Sequence, residues 1–310
     1  MSIGGGAANP ILTVGSVALD SVRTPSGEVS RMVGGAATFF SVAASFFTDV
    51  RLVAVVGEDF DAERASVFEG RRIDLEGLQR VPGETFRWRG EYGSNLNTRE
   101  TIYTHLNVFE AFEPRIPEGF RSSPIVFLAN IHPALQLEVL EQVRAPAFVA
   151  LDTMNYWIEG TPAELKAVLA RVDAVIINDE EARELSGEDN LVGAARAIRA
   201  LGPSHVVIKR GEHGVLAARR EEFFAAPALP LADVRDPTGA GDTFAGGLVG
   251  YLATVPSRTH DAWARAVIAG STMASFAVED FGLGRLLRLA ADDIRDRFRE
   301  FKRLTHFDAL

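Results

Sequence analysis

The sequence predicts an α/β fold: a mainly parallel central sheet covered by helices on both faces, with a small antiparallel β extension. Three observations predict it. Short apolar runs rich in Val and Ile alternate with segments of helical period along most of the chain, the pattern of βα units in a sheet buried on both sides. Between Thr85 and Leu106 the period drops to two, which signals half-buried strands standing off the main body. Near residue 240 a Gly-rich turn leads from a β-rich segment ending at Val234 into a long apolar helix.

Taken in order, Ile11–Gly15 reads as a buried strand. The polar stretch 21–33, with Pro25 and Gly27, reads as a hairpin-like excursion. Gly34-Gly35 opens an apolar helix to about Phe47. Arg51–Gly57 is a second strand, and Glu58-Asp59-Phe60 leads into a helix ending near Arg72. In the extension, Phe86 and Trp88 alternate with Arg87 and Arg89, and Tyr103 with Thr104. Strands follow at Ile125–Ala129, Phe148–Asp152, Ala174–Asn178 and Val206–Lys209. Helices separate them at Pro133–Arg144, Pro162–Arg171, Glu180–Leu185 and Leu191–Leu201. A late hairpin covers 214–225, and the last third is helical over Ala240–Thr254, Thr259–Ala277 and Ala290–Leu304. We expect one domain over 11–304 and a flexible tail at 1–10.

A chain of 310 residues, 47% hydrophobic, can bury a sizeable core. Its net charge of −10 disfavours nucleic acid or anionic membranes as partners. With no cysteine it has neither disulfides nor thiolate metal sites, which suits the cytoplasm. No apolar run approaches the ~20 residues of a membrane span, and no signal peptide is visible. Walker, His-Glu-x-x-His and Gly-x-Ser-x-Gly motifs are missing from the sequence.

The most constrained stretch is Asp236-Pro-Thr-Gly-Ala-Gly-Asp-Thr-Phe-Ala-Gly-Gly. At a helix start the amides of Gly239, Ala240 and Gly241 can converge on one anion. Asp242, in the first turn, stands where a carboxylate can take a proton from a group attacking that anion. A plain turn with Asp242 on the helix dipole is the alternative. This string resembles the signature of the ribokinase-like carbohydrate kinases, the PfkB family.

The resemblance spans about 11 to 302 and implies a ribokinase-like body with a small β-strand lid, its segments at about 21–33 and 85–106. It implies phosphorylation by ATP and Mg²⁺ of a hydroxyl on a sugar or sugar derivative, a nucleoside being the main rival. Asp242 would be the base and Gly239–Gly241 the anion hole. A sensor that binds sugar or nucleotide without turnover is the alternative of another class. Four further segments match in order. Gly15–Asp20 has the Gly-x-x-x-x-Asp spacing, so Asp20 would hold acceptor hydroxyls; a surface turn is its other reading. Gly34 and Gly35 match a substrate-contacting pair, though Thr38-Phe39-Phe40 replaces the Asn common in sugar-specific members. The aromatic pair could stack on a flat acceptor or be plain core.

Asn178 and Glu181 match Asn-x-x-Glu, implying a Mg²⁺ role through water; a capping box fits them equally. Gly211 and Gly214 match a nucleotide loop. There Lys209 replaces a Thr and could meet a phosphate as a point charge, or be a solvated strand end. Asp152 joins the phosphate side or caps its strand, and Arg99 reads more readily as solvated than as a substrate contact. The resemblance also brings in a monovalent cation and a homodimer formed through the lids.

Overall fold

The protein is described by a computed structural model over residues 8–306 and 308. Most of the expected tail, residues 1–7, lies outside the described residues. From Asn9 onward the chain is tied down, since Asn9 N–H donates to Ala253 O (3.0 Å) and Thr48 Oγ1 donates to Asn9 O (2.7 Å).

In chain order the strands are β1 (Ile11–Val14), β2 (Ala18–Thr24), β3 (Gly27–Gly34), β4 (Val50–Val56), β5 (Ile73–Arg80), β6 (Phe86–Tyr92), β7 (Arg99–His105), β8 (Ile125–Leu128), β9 (Phe148–Leu151), β10 (Ala174–Asn178), β11 (His205–Lys209), β12 (Val215–Arg219) and β13 (Glu222–Ala226). The helices are α1 (Ala36–Ala44), α2 (Ala62–Ala65), α3 (Pro133–Gln142), α4 (Asn155–Gly160), α5 (Pro162–Leu169), α6 (Asp179–Ser186), α7 (Leu191–Arg199), α8 (Ala240–Ala253), α9 (His260–Ala277), α10 (Gly284–Leu287) and α11 (Ala291–Thr305).

Nine strands form the main sheet in the order β13-β12-β11-β10-β9-β8-β1-β4-β5. Pairing is parallel from β5 through β11, and the β12–β13 hairpin closes that edge antiparallel. Alternate residues point to opposite helical layers. Val175 and Ile177 pack with α3, α5 and α7, whereas Ala174 and Ile176 pack with α8 and α9. This explains why the strands read as continuous apolar runs. The chain leaves β1 in one direction, to β4 and β5, and returns on its other side at β8. The carboxyl ends of β1 and β8 are therefore a topological switch point, the usual ligand crevice of such sheets. They approach closely: a Cβ on Gly15 would sit 2.6 Å from that of Ala129.

A separate four-stranded sheet, β3-β2-β6-β7, is the lid. Its outer pairs are antiparallel and its central pair, β2 with β6, is parallel. The lid begins at Ala18, ahead of the expected residue 21, so Asp20 lies within a strand rather than in a turn after one. Asp59, just past β4, gathers the lid's base. Its Oδ1 accepts from Thr85 N (2.7 Å) and Thr85 Oγ1 (2.6 Å), and its Oδ2 pairs with Arg87 (3.3 Å) and Arg31 (3.4 Å).

The expected helix up to Arg72 is corrected. Only α2 and a short 3-10 turn at Ser66–Phe68 form there, and the unexpected edge strand β5 follows. Its alternation, Ile73 and Leu75 against Asp74 and Glu76, breaks at Gly77-Leu78, just after the register against β4 slips between Asp74 and Gly77. That break hides the strand.

Helix α8 is clamped between α1 and α9. A Cβ on Gly246 would meet Phe40 O at 2.5 Å, and one on Gly247 would meet Ala269 O at 2.7 Å. Phe40 stacks on Phe127 of β8 at 3.9 Å, with ring planes 4° apart. Removing that buried ring leaves a cavity under α1. Phe40→Ala is expected to cost about 3–5 kcal/mol, read as a lower urea midpoint.

Candidate functional site

Helix α8 starts where the chain reverses its backbone angles. Gly239, its N-cap, has φ +74°, a region hostile to side chains, and a Cβ there would also collide with the Phe39 ring. Phe39 thus forms the floor of the turn. With Phe40 on Phe127, both aromatics belong to the core and neither is free to stack on an acceptor. The Ala240 N–H donates to Pro237 O at 3.2 Å, while the Gly239 and Gly241 amides have no hydrogen-bond partner among the described residues. Asp236 shapes the turn, accepting from Thr238 N (2.9 Å) and Gly282 N (3.0 Å).

Lys209 ends β11 and is largely buried, not solvated. Its Nζ lies 3.6 Å from Asp152 Oδ2 and 2.9 Å from where a Gly241 Cβ would stand. The ammonium therefore abuts the start of α8. Asp152 ends β9, and Gln136 Nε2 donates to both Asp152 O (3.2 Å) and Ala129 O (2.9 Å), fixing the ends of β9 and β8. Nothing in the sequence pattern singled Gln136 out.

Asn178 and Glu181 form the capping box. Asn178 Oδ1 accepts from Glu181 N (2.8 Å), and Glu181 Oε2 accepts from Asn178 N (2.7 Å). One Glu181 oxygen remains outside the cap. Among the described residues no group of three or more His, Cys, Asp or Glu is arranged to hold a metal. Hard carboxylate oxygens at Glu181 and Asp152 beside an anion-binding turn fit Mg²⁺ held through water, not a direct protein cage.

Gly214 (φ +85°) answers to packing, since a Cβ there would collide with Ala226 O. Gly211 faces the lid tip, where Asn97 Nδ2 donates to Glu212 Oε1 at 3.1 Å. A second lid contact joins Tyr92 to the turn itself, the Thr238 hydroxyl donating to Tyr92 OH at 3.2 Å.

At the opposite wall, Asp20 Oδ2 accepts from Gly35 N (3.2 Å), and any side chain on Gly34 would collide with that carboxylate. Ser16 caps α1 through Ala36 N (3.0 Å). Asp20, Gly34 and Gly35 thus form one group; Lys209, Asp152, Glu181, Gly241 and Asp242 form another. Their charges are felt across the gap between them.

Burial pushes the Asp242 carboxyl up to about 7; Asp152 adds to this, while Lys209 and Arg99 hold it back. Burial likewise raises Glu181 to about 7, against the pull of Lys209. Burial raises Asp20 to about 7, opposed by the Gly35 hydrogen bond and helped by Asp242 and Asp236. Burial also lifts Asp152. For Lys209 burial works downward, but Asp152, Glu181 and Asp242 outweigh it and keep the ammonium charged. Acids raised in this way carry a sign for stability. Between 3.8 and about 7 the folded protein holds a proton on Asp20 that the unfolded chain has lost. Stability therefore falls as pH rises through that window. Asp20→Asn, which can still accept from Gly35, is expected to melt a few degrees higher than wild type at pH 8. The gain should shrink as pH falls through 7 in thermal scans.

Comparison with known proteins follows this geometry. The family described as pfkB family carbohydrate kinase matches residues 8–288. A cytidine kinase of Thermococcus kodakarensis is 31% identical over 248 residues, which is 78% of this chain and 88% of that protein. The nucleoside kinase of Methanocaldococcus jannaschii, an archaeal member of the ribokinase family, superposes with a TM-score of 0.76 at 18% identity, over 96% of this chain and 100% of that one. The aminoimidazole riboside kinase of Salmonella enterica, solved with its riboside and an ATP analogue, gives 0.72 at 20% identity, over 94% and 100%. With the family matched across nearly its whole length, and its fold shared with these enzymes, the chain belongs to the pfkB carbohydrate kinases.

Proposed function

We propose that this protein transfers the γ-phosphoryl group of ATP to a hydroxyl of a sugar or sugar derivative, nucleosides included. The observation that carries this reading is Asp242 beside the Gly239 and Gly241 amides and the Lys209 ammonium. A proton acceptor and an anion cradle share one corner. Asp20, through the oxygen not bonded to Gly35, and the backbone at Gly34 and Gly35 hold the acceptor hydroxyls. Asp242 takes the hydroxyl proton as the new O–P bond forms. The bond from the γ-phosphorus to the bridging oxygen breaks, and its electron pair leaves with ADP. The Gly239 and Gly241 amides stabilise charge on the transferring group, joined by Ala240 on giving up its turn bond. Lys209 meets the same oxygens as a point charge, and Asn178, Gly211 and Gly214 shape the nucleotide side. Magnesium, when bound, offsets phosphate charge; Glu181 suits its water shell. The cytidine kinase relative favours a nucleoside as the first acceptor to try.

Two copies would pair through their lids, where Ile102 is 46% and Leu106 41% exposed. A cytoplasmic setting belongs to the same proposal; no helix of the described residues is long and apolar enough to cross a membrane.

A screen of ADP release with cytidine, aminoimidazole riboside, ribose, fructose and 2-dehydro-3-deoxygluconate tests the reading. Binding of these ligands with no turnover of any would point to a sensor instead. Asp242→Asn is expected to lose about 100–1,000-fold in kcat while still binding ATP. Near-normal turnover would remove Asp242 as the base. For the wild type, kcat/KM should fall as pH drops below about 7. Lys209→Gln, by deleting the charge that holds Asp242 down, should move that limb to higher pH.

A further inference from the structure

The lid carries a cationic side chain whose placement the reaction above does not yet use. Arg99 opens β7, and the register pairs it directly with Tyr92 of β6. Tyr92 is the residue whose hydroxyl meets Thr238, immediately before the Gly239 turn. Arg99 is thus one rung of sheet away from the anion cradle. On its other side its guanidinium carbon lies 5.7 Å from the centre of the Trp88 ring, a cation–π distance. Trp88 is itself fixed. Its Nε1 donates to Thr101 Oγ1 at 3.3 Å, and its ring lies across Gly90, where any side chain would collide with it. An indole and a phenol therefore flank one guanidinium that has no carboxylate partner within ion-pair distance among the described residues. The other lid arginines, Arg23, Arg31, Arg87 and Arg89, are all paired with acids. An unpaired cation near an anion site can take up an arriving anion.

We infer that Arg99 contacts the terminal phosphate of the nucleotide during transfer, with Trp88 and Tyr92 as the residues that position it. The inference rests on the proposed phosphoryl transfer and adds a catalytic residue supplied by the lid. Its charge already reaches the far wall of the site, where it acts on both Asp242 and Glu181. A fixed guanidinium at that corner neutralises charge that grows on the γ-phosphoryl oxygens as transfer proceeds. Being planar and forked, it can hold two oxygens at once, which an ammonium cannot.

The test compares Arg99→Ala, Arg99→Lys and Trp88→Leu with Asp242→Asn. ATP and the acceptor turned over fastest in the screen serve as substrates. Arg99→Ala should lose about 100-fold in kcat with acceptor KM and melting temperature near wild type. Millimolar guanidinium should restore part of its turnover and none of that of Asp242→Asn. Arg99→Lys should recover only part of the loss. Trp88→Leu should lower kcat less than Arg99→Ala and add nothing to it in the double variant. An Arg99→Ala kcat within about threefold of wild type, a loss confined to acceptor KM, or no rescue by guanidinium overturns the inference. The two readings separate cleanly. If Asp242→Asn keeps its turnover while Arg99→Ala loses it, the base assignment fails and the arginine stands; the reverse result fails the arginine alone.

Discussion

One buried ammonium holds the site together. Lys209 sits among Asp152, Glu181 and Asp242, and each of them keeps it charged against the pull of burial. Without that cation, carboxylates packed so closely would stay protonated or push apart. With it, the cluster can persist at the carboxyl ends of β9, β10 and β11, beside the first turn of α8. The residue is set by the sheet, since Lys209 pairs in register with Asn178 of β10. The capping box at Asn178 and Glu181 then orients one acid toward the same charge. Asn178 and Glu181 form the capping box, and the proposed metal role would use the Glu181 oxygen that the cap leaves over.

The other requirement is a rigid anion turn. The glycines that let α8 approach α1 and α9 bring Phe39 under Gly239 and Phe40 onto Phe127. What reads in sequence as an aromatic pair open to stacking is thus core packing beneath the α8 turn. On the proposed reading, acceptor selection falls instead to the lid and to the wall made by Asp20, Gly34 and Gly35.

Much of this was legible in the sequence because it depends on local pattern. Continuous apolar strands, helix periods and the long Gly-Ala-Gly-Asp string each carry their meaning within a dozen residues. The rest depends on where distant segments meet. The ion pair between Lys209 and Asp152 joins two strand ends far apart in the chain, and nothing near either one announces it. The edge strand β5 was hidden by the slip at Leu75-Glu76, and a surface turn stayed open as the other reading of Asp20 because the lid strand around it mixes polar and apolar positions. Arg99 read as a solvated side chain and is exposed, but only the fold sets Trp88 and Tyr92 beside it.

Asp59 has a mechanical consequence. It grips one lid hairpin at Thr85, just before β6, and at Arg87, and the other at Arg31 of β3, with a single carboxylate. Paired centrally through β2 and β6, the two hairpins cannot tilt independently without tearing that shared anchor. The four strands are thereby held as one plate, fastened to the body at Asp59, at Tyr92 on Thr238, at Asn97 on Glu212 and at Thr24 on Arg235 O.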